Sequence, residues 1–267
     1  MRDHSSLTFL KLGGSLITDK TRPMSPRLAV IERIAHEVFE VIQKQSTMDI
    51  LIGHGSGSFG HATASQYQTH LGGSGNKYWH GFQQVWMAAR QLNQIVIKAM
   101  SDTGLPILAF PPSAAVIAED GQLTHWDTQA LEKALFHNLI PIVQGDVIFD
   151  SSMGGTILST EAIFHYLTPI LSPARILLAG RDPGVYLDPD KPQDIIELIS
   201  QENIDEVLPV LSPAHTADVT GGMLSKVRLM VELIKTIPGL EIQIFSGEPA
   251  GNIQKALAGE NLGTLIR

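Results

Sequence analysis

Short apolar runs alternate along the chain with longer segments whose apolar residues recur at helical spacing. Residues 7–12 and 50–53 have the pattern of buried strands, and residues 28–44 between them have the period of an amphipathic helix. Ser25 and Pro26 are expected to cap that helix. Strand, helix and strand in this order form the βαβ unit of a parallel sheet, which binds ligands at the carboxyl ends of its strands.

The alternation continues to the end of the chain without an obvious linker. A long helix is predicted over residues 78–102, and a hairpin turn at Asp120 and Gly121. Further strands are expected at 105–109, 139–143, 175–179, 195–199, 240–245 and 263–266, a hairpin at 147–158, and helices at 127–137, 159–167, 202–208, 223–237 and 249–257. We therefore expect one domain over residues 1–267, with a substrate half to about residue 170 and a nucleotide half from about residue 171.

Glycine-rich loops follow the first two strands. Gly13, Gly14 and Ser15 end the first, and the segment 53–61 brings four glycines and two histidines after the second. Glycine lets backbone N–H groups approach an anion closely, and a helix beginning after the loop would add the positive end of its dipole. A turn that needs glycine only for its geometry would explain a lone glycine pair, but four glycines with two histidines in one loop, together with a second glycine loop, favour a phosphate site.

Lysines lie beside these loops. Lys11 and Lys20 bracket the first loop, and Lys226 follows a third glycine loop at 218–223. One such lysine alone is more often a solvated surface charge, whereas lysines on either side of a glycine nest suit phosphate. The polar interval 71–76 could form a mobile lid. In the helix that follows, bulky residues such as Phe82, Val85 and Trp86 indicate either core packing or the wall of an apolar substrate pocket.

Composition narrows the functional classes. The 267 residues are 43% apolar and 17% charged, with a net charge of −8 and no basic run, so neither nucleic acid nor a membrane surface is an expected partner. Cysteine is absent, which excludes disulfides and thiolate metal sites, and no protein metal site is expected. The first residues lack the apolar run of a signal peptide, and no apolar stretch is long enough to span a membrane. We expect a cytoplasmic protein.

Together the motifs resemble the amino acid kinase superfamily. They are Lys-Leu-Gly-Gly-Ser at 11–15, the loop at 53–61, Gly-Asp at 145–146, Gly-Val-Tyr at 184–186, and Asp-Val-Thr-Gly-Gly-Met at 218–223 with Lys226. Gly-Ser-Phe-Gly-His at 57–61 and Ile-Leu-Ser at 157–159 are similar to the isopentenyl phosphate kinase family, which makes isopentenyl diphosphate from isopentenyl phosphate and ATP with Mg²⁺ in isoprenoid biosynthesis. The resemblance implies a three-layer αβα sandwich around an open, mainly parallel sheet, and a homodimer.

The resemblance also implies roles for individual residues. Catalysis is implied for Lys11, Lys20, His61, Glu161 and Lys226. ATP binding is implied for Lys11, Gly13, Gly14, Ser15, Gly57, Asp182, Gly184, Tyr186, Gly222 and Lys226. Substrate binding is implied for Gly55, Ser56, Gly60, His61 and Gly145, with Phe82 and Trp86 as the candidate apolar wall. Phosphoryl transfer depends mainly on positioning and on cations, so lysines and N–H groups with Mg²⁺ suffice.

The sequence departs from the family at two places. Gly180 and Arg181 stand where the family usually has Thr-Asp, and Thr160-Glu161 stands where it usually has an aspartate. Two other functions fit the pattern, namely a kinase of another small phosphate or phosphonate, similar to fosfomycin kinase, and a non-catalytic nucleotide-binding subunit. The presence of Lys11, Lys20 and Lys226 together argues against the second.

Overall fold

The computed structural model describes residues 7–45, 48–188, 191, 194–211 and 222–267. The helices are α1 Gly14–Ile17, α2 Leu28–Lys44, α3 Gly57–Tyr67, α4 Asn76–Asp102, α5 Gln129–Phe136, α6 Thr160–Leu171, α7 Ile204–Val207, α8 Gly222–Thr236 and α9 Asn252–Leu257. The strands are β1 Thr8–Leu12, β2 Ile50–His54, β3 Ile107–Ala109, β4 Val116–Glu119, β5 Gln122–Trp126, β6 Ile140–Gln144, β7 Asp146–Asp150, β8 Gly154–Leu158, β9 Arg175–Gly180, β10 Val185–Tyr186, β11 Ile195–Ile196, β12 Leu198–Ile199, β13 Glu241–Ser246 and β14 Thr264–Ile266.

An eight-stranded sheet runs through the described part of the chain in the order β12-β14-β13-β9-β1-β2-β6-β3. Its neighbouring strands are parallel except for the pair β13 and β14. Strands from both of the expected halves meet where β1 pairs with β9. The single-domain organisation stays a prediction, and this continuous sheet supports it.

Helices cover both faces of this sheet because its central strands are apolar on both sides. On β1, Phe9 packs in a core with α5, α6 and α8, whereas Leu10 packs in a second core with α2, α4 and α9. The whole of β1 is buried. The predicted αβα sandwich with an open, mainly parallel sheet is therefore confirmed.

A second, four-stranded sheet, in the order β5-β4-β7-β8, stands beside the first. Its predicted hairpin turn is confirmed, since Asp120 and Gly121 both have positive φ, 49° and 76°. The hairpin of β7 and β8 is confirmed as well. The interval 71–76 is tied to the turn of that hairpin, because the amide of Gly73 donates to the carbonyl of Met153.

Three local predictions were wrong. The single strand expected at 195–199 is two short strands, β11 and β12, which pair with β10 and β14 in different sheets. Ser25 does not cap α2, which begins at Leu28 after Arg27, because residues 18–26 form a turn in which the amide of Asp19 donates to the carbonyl of Ser25. Helix α3 already begins at Gly57, so His61 lies in a helix and not in a loop. Residues 218–221 of the third glycine loop lie outside the described residues. Among the described helices, none has the length and apolar character required to cross a membrane.

Asp150 stabilises the turn between β7 and β8. Its carboxylate accepts hydrogen bonds from the amides of Gly121, Ser152 and Met153 at 2.8–2.9 Å, and from the hydroxyl of Ser152. Burial raises the pKa of this carboxyl, but these donors outweigh it and lower the pKa to about 2. The bonds therefore favour the ionised form.

We expect Asp150→Ala to lower the free energy of unfolding by about 2 kcal/mol, the scale of hydrogen bonds to a charged acceptor. Because the pKa is depressed on folding, this contribution is present above pH 3.8 and is lost as the pH falls toward 2. Urea unfolding at pH 7 and at pH 3 measures both effects. Asp102→Ala, which removes an exposed ion pair with Lys98, is the control, and an equal loss in both variants would contradict this role of Asp150.

Candidate active site

A cavity opens at the carboxyl ends of β1, β2, β6 and β9, as the sheet topology predicts. The residues that line it are Lys11, Gly13, Gly14, Ser15, Lys20, Gly55, Ser56, Gly60, His61, Ala64, Val85, Ala89, Gly145, Asp146, Ile157, Leu158, Ser159, Thr160, Glu161, Leu178, Ala179, Gly180, Arg181, Asp182, Met223, Lys226 and Ile244. The cavity thus brings together both described glycine loops, the three lysines and the histidine that sequence analysis selected.

The two glycine loops touch each other at one side of the cavity. A Cβ added to Gly14 would lie 2.5 Å from the nitrogen of Gly57, and one added to Gly57 would lie 2.6 Å from the carbonyl oxygen of Gly14. The buried hydroxyl of Thr18 joins the loops, since it donates to the carbonyl of Gly14 and accepts from the amide of Ser58. Glycine is therefore required here for the close approach of α1 and α3.

The amides of the glycine loops divide into two sets. Those of Gly13, Gly55 and Gly145 each donate to the carbonyl at the end of a neighbouring strand and extend the ladder by one residue. Those of Gly14 and Ser15 begin α1 and have no hydrogen-bonded acceptor within the described ranges. The amides of Gly14 and Ser15 are therefore the N–H groups that an anion would meet at the start of α1.

Glu161 forms the charged centre of the cavity. One carboxylate oxygen, Oε1, lies 2.6 Å from Nζ of Lys11 and 3.8 Å from Nζ of Lys226. The side chains of Lys11 and Glu161 are only 8% and 7% exposed. Burial raises the pKa of Glu161, but the charges of Lys11 and Lys226 outweigh it and hold the pKa below its ordinary value. Glu161 is therefore ionised and orients both lysines.

The start of α6 fixes the position of Glu161. The hydroxyl of Ser159 accepts from the amide of Ala162 and caps the helix. The hydroxyl of Thr160 donates to the carbonyl of His54 at 2.7 Å. Helix α6 is thereby attached to the end of β2, and its first turn carries Glu161 to the floor of the cavity.

The two histidines of the second loop have different surroundings. His61 is half-buried and lines the cavity beside Gly60 and Ser56. His54 is fully buried, with Nε2 3.0 Å from Oδ1 of Asn93. Burial lowers the pKa of His54, which keeps the ring neutral. Of these two histidines, His61 is therefore the one placed to donate to a ligand in the cavity.

The apolar side chains that line the cavity are only partly those that the sequence suggested. Ala64, Val85 and Ile157 line it, whereas Phe82 and Trp86 are not among its described lining residues. Phe82 is buried in a cluster behind Val85. Trp86 lies on another face of α4, where its indole N–H donates to the hydroxyl of Ser113 at 3.1 Å. The candidate wall residues Phe82 and Trp86 thus belong to packing around the cavity.

Four further candidates also lie outside the described lining. Gly57 is at the contact of α1 with α3, and Gly222 is the first residue of α8. Gly184 packs on β14, because an added Cβ would lie 2.6 Å from Oγ1 of Thr264. Tyr186 is paired in β10 and donates its hydroxyl to Asp182, which does line the cavity.

Sequence reasoning missed several residues of the cavity. Asp146 lines it, and burial raises the pKa of its carboxyl to about 6. Ser159, Thr160 and Met223 line it as well, and Arg181 was noted only as a departure from the family. The signal for Asp146 was its place directly after Gly145, at the end of a strand. Within the described ranges, no group of three or more histidine or carboxylate side chains is arranged to hold a metal ion.

The fold and the cavity are those of a phosphotransferase of the amino acid kinase type, and the comparison with known families agrees. Residues 6–246 match the model of the amino acid kinase family. The chain therefore belongs to the amino acid kinase family.

Within that family the relatives are isopentenyl phosphate kinases. The enzyme of Methanocaldococcus jannaschii is 34% identical over 268 residues, covering 97% of this chain and 98% of the relative. That of Methanothermobacter thermautotrophicus is 32% identical over 274 residues, with the same coverage of 97% and 98%. An X-ray structure of an isopentenyl phosphate kinase is 29% identical, has a TM-score of 0.81 and covers 98% of this chain and 100% of its own. The resemblance inferred from the motifs is confirmed.

The contact of Gly14 with Gly57 generates a prediction. Gly57→Ala would place a Cβ against backbone at a φ of 48°, so α1 and α3 must move apart. We expect reduced turnover. We also expect a lower melting temperature, because the loss of stability should exceed the roughly 1–2 kcal/mol that left-handed strain alone costs. Gly121→Ala is the matched control, because its φ is 76° and no atom lies within 4 Å of the added Cβ. Equal melting temperatures and unchanged turnover in both variants would contradict the close-approach role.

Proposed function

We propose that the protein transfers the γ-phosphoryl group of ATP to isopentenyl phosphate and so produces isopentenyl diphosphate. The observation that carries the proposal is the arrangement in one cavity of Lys11 and Lys226 around Glu161, with His61 on helix α3. The isopentenyl phosphate kinases among its relatives support the choice of acceptor.

The nucleotide phosphates would occupy the end of the cavity formed by α1. The amides of Gly14 and Ser15 would bind phosphate oxygens, with Lys11 and Lys226 on the transferring group. Lys20, which is exposed on the turn after α1, would add a further cation as the ligand enters. These groups neutralise charge on the moving phosphoryl group, which is the main demand of the reaction.

The acceptor would lie between α3 and the end of β6. His61, with Ser56 and Gly60, would hold its phosphate, and Gly145 would border it from the next strand. Val85 and Ile157 would enclose the short hydrocarbon tail, for which an apolar lining is appropriate. The transfer is an in-line displacement in which an acceptor phosphate oxygen attacks the γ-phosphorus and ADP leaves.

Mg²⁺ would enter with the nucleotide. This ion prefers oxygen ligands, keeps several waters and is usually held by substrate phosphates with one or two carboxylates. Asp146 and Asp182 place carboxylates on the cavity wall and fit that donor set, through water or directly. Bound Mg²⁺ would offset the charge of the phosphates. The homodimer and the cytoplasmic location remain predictions from the sequence.

Product analysis tests this function directly. The protein is incubated with Mg-ATP and isopentenyl phosphate, fosfomycin or free amino acids, and products are followed by ³¹P NMR together with ADP release. We expect diphosphate signals and ADP with isopentenyl phosphate. Transfer to fosfomycin or an amino acid in preference to isopentenyl phosphate would contradict the proposal, as would the absence of transfer to any of them.

The role of His61 gives a sharper prediction. A hydrogen bond from an imidazole to a charged phosphate is worth about 1.5–3 kcal/mol, which corresponds to roughly 10- to 150-fold in rate or affinity. We expect His61→Ala to lower kcat/KM for isopentenyl phosphate by at least that range. ATP affinity should be nearly unchanged, because the proposed nucleotide ligands belong to other elements. His61→Gln should retain part of the activity by donating a neutral hydrogen bond.

His36→Ala on α2 is the control, since it removes an exposed histidine outside the described cavity lining. A melting temperature and an ATP titration accompany the kinetics. A His61→Ala protein with normal kcat/KM would exclude this residue from the acceptor site. A lower melting temperature with normal kinetics would assign it to helix stability instead.

A further inference from the structure

Arg181 brings a fourth basic side chain to the cavity, beside Lys11, Lys20 and Lys226. It follows the last residue of β9, and its side chain is 59% exposed. Its backbone is held independently of its side chain, because the carbonyl of Arg181 accepts from the hydroxyl of Ser246, and the amide of Gly247 donates to the carbonyl of Gly180. The guanidinium therefore projects from a fixed loop.

The position of this loop is beside the first glycine loop. The amide of Gly13 donates to the carbonyl of Ala179, and a Cβ on Gly13 would lie 3.4 Å from Cα of Gly180. The charge of Arg181 also reaches the turn that carries Lys20. The pKa of Asp19 is lowered chiefly by hydrogen bonds from Thr21, and Arg181 contributes to that shift. Arg181 is thus at the phosphate end of the cavity.

Glu248 pairs with Arg181 but does not depend on it. Nε of Arg181 lies 3.1 Å from Oε1 of Glu248. Both oxygens of Glu248 also accept from Arg27, whose Nη1 donates in addition to the carbonyl of Leu16 at 2.9 Å. The hydrogen bond from Arg27 is the main reason that the pKa of Glu248 is lowered. Glu248 therefore keeps a partner of its own when Arg181 moves away.

A purely structural ion pair explains this arrangement poorly. The loop of Arg181 is already fixed by backbone bonds, and an exposed ion pair contributes little to stability. Arginine presents a planar fork of donors that matches phosphate oxygens. Release of Arg181 from Glu248 thus costs little, and a nucleotide phosphate would offer it a stronger partner.

We propose that Arg181 binds the phosphate chain of the nucleotide and exchanges Glu248 for a phosphate oxygen when ATP enters. The inference rests on the proposed use of ATP and adds Arg181 to the residues that recognise the phosphates. Recognition by Arg181 then depends on the number of phosphates and not on the adenosine.

The test is nucleotide affinity, measured by calorimetry on the full chain with ATP, ADP and AMP in the absence of acceptor. Arg181→Met, which keeps an unbranched apolar stem and removes the guanidinium, is expected to weaken ATP binding by about 10- to 100-fold and AMP binding by less than about 2-fold. Arg181→Lys should recover part of the loss. Arg90→Met on α4 is the charge-matched control and should leave the affinity for all three nucleotides unchanged.

Glu248→Gln tests whether Arg181 exchanges Glu248 for a phosphate oxygen or needs Glu248 to hold it in place. It breaks the same ion pair, yet we expect ATP affinity to remain equal or to rise by up to about 5-fold, because Arg181 loses its competitor. Equal losses for ATP, ADP and AMP in Arg181→Met would place Arg181 at the adenosine or the α-phosphate, which all three share, and would overturn recognition by the number of phosphates. Unchanged affinity with a lower melting temperature would leave only a structural pair.

The two proposals fail in distinguishable ways. If the wild-type chain binds ATP but phosphorylates a different acceptor, the proposed function fails while the affinity series still decides the role of Arg181. If the wild-type chain binds no nucleotide, both proposals are wrong. Both proposals are supported if the wild-type chain phosphorylates isopentenyl phosphate and the affinity lost in Arg181→Met decreases from ATP to AMP.

Discussion

The contact of one buried carboxylate with two lysines is the constraint on which the site depends. Oε1 of Glu161 lies 2.6 Å from Nζ of Lys11 and 3.8 Å from Nζ of Lys226. Lys11 belongs to β1 and Lys226 to α8, so the two lysines come from opposite sides of the chain's midpoint. An unpaired carboxylate at this depth would be costly, so its charge is tolerated because the lysines remain close. The carboxylate in turn keeps two like charges near each other before any phosphate arrives. The cavity is thus organised for anions by its own ion pairs.

Backbone contacts then position the helices around that centre. Thr160 attaches α6 to the end of β2, and the approach of Gly14 to Gly57 brings α1 against α3. Each contact uses the last residues of a parallel strand or the first turn of the helix that follows it. This is the region where neighbouring strands of a parallel sheet end together. The site therefore follows from the sheet topology, and the side chains add charge and selectivity to it.

Much of this arrangement could be predicted from the sequence because its signals are local. Apolar runs that end in glycine predicted the central strands. Lysines beside the glycines predicted a phosphate site that includes Lys11 and Lys226. Less could be predicted where distant segments decide the arrangement. Trp86 lies on a helix face that is partnered by Ser113, and Gly184 packs on Thr264, neither of which helical spacing or a motif can reveal. The pairing of Arg181 with Glu248 joins loops after two different strands and has no local signal at all.

The measurement that tests the central claim most directly is kcat for transfer to isopentenyl phosphate in Glu161→Gln and Glu161→Asp, each with a melting curve. Glutamine removes the charge that orients the lysines, and we expect kcat to fall by about 100-fold or more, since small misplacements of catalytic groups cost that much. Aspartate keeps the charge on a shorter side chain and should retain more activity and a melting temperature close to the wild type. A folded Glu161→Gln protein with normal kcat would contradict the account.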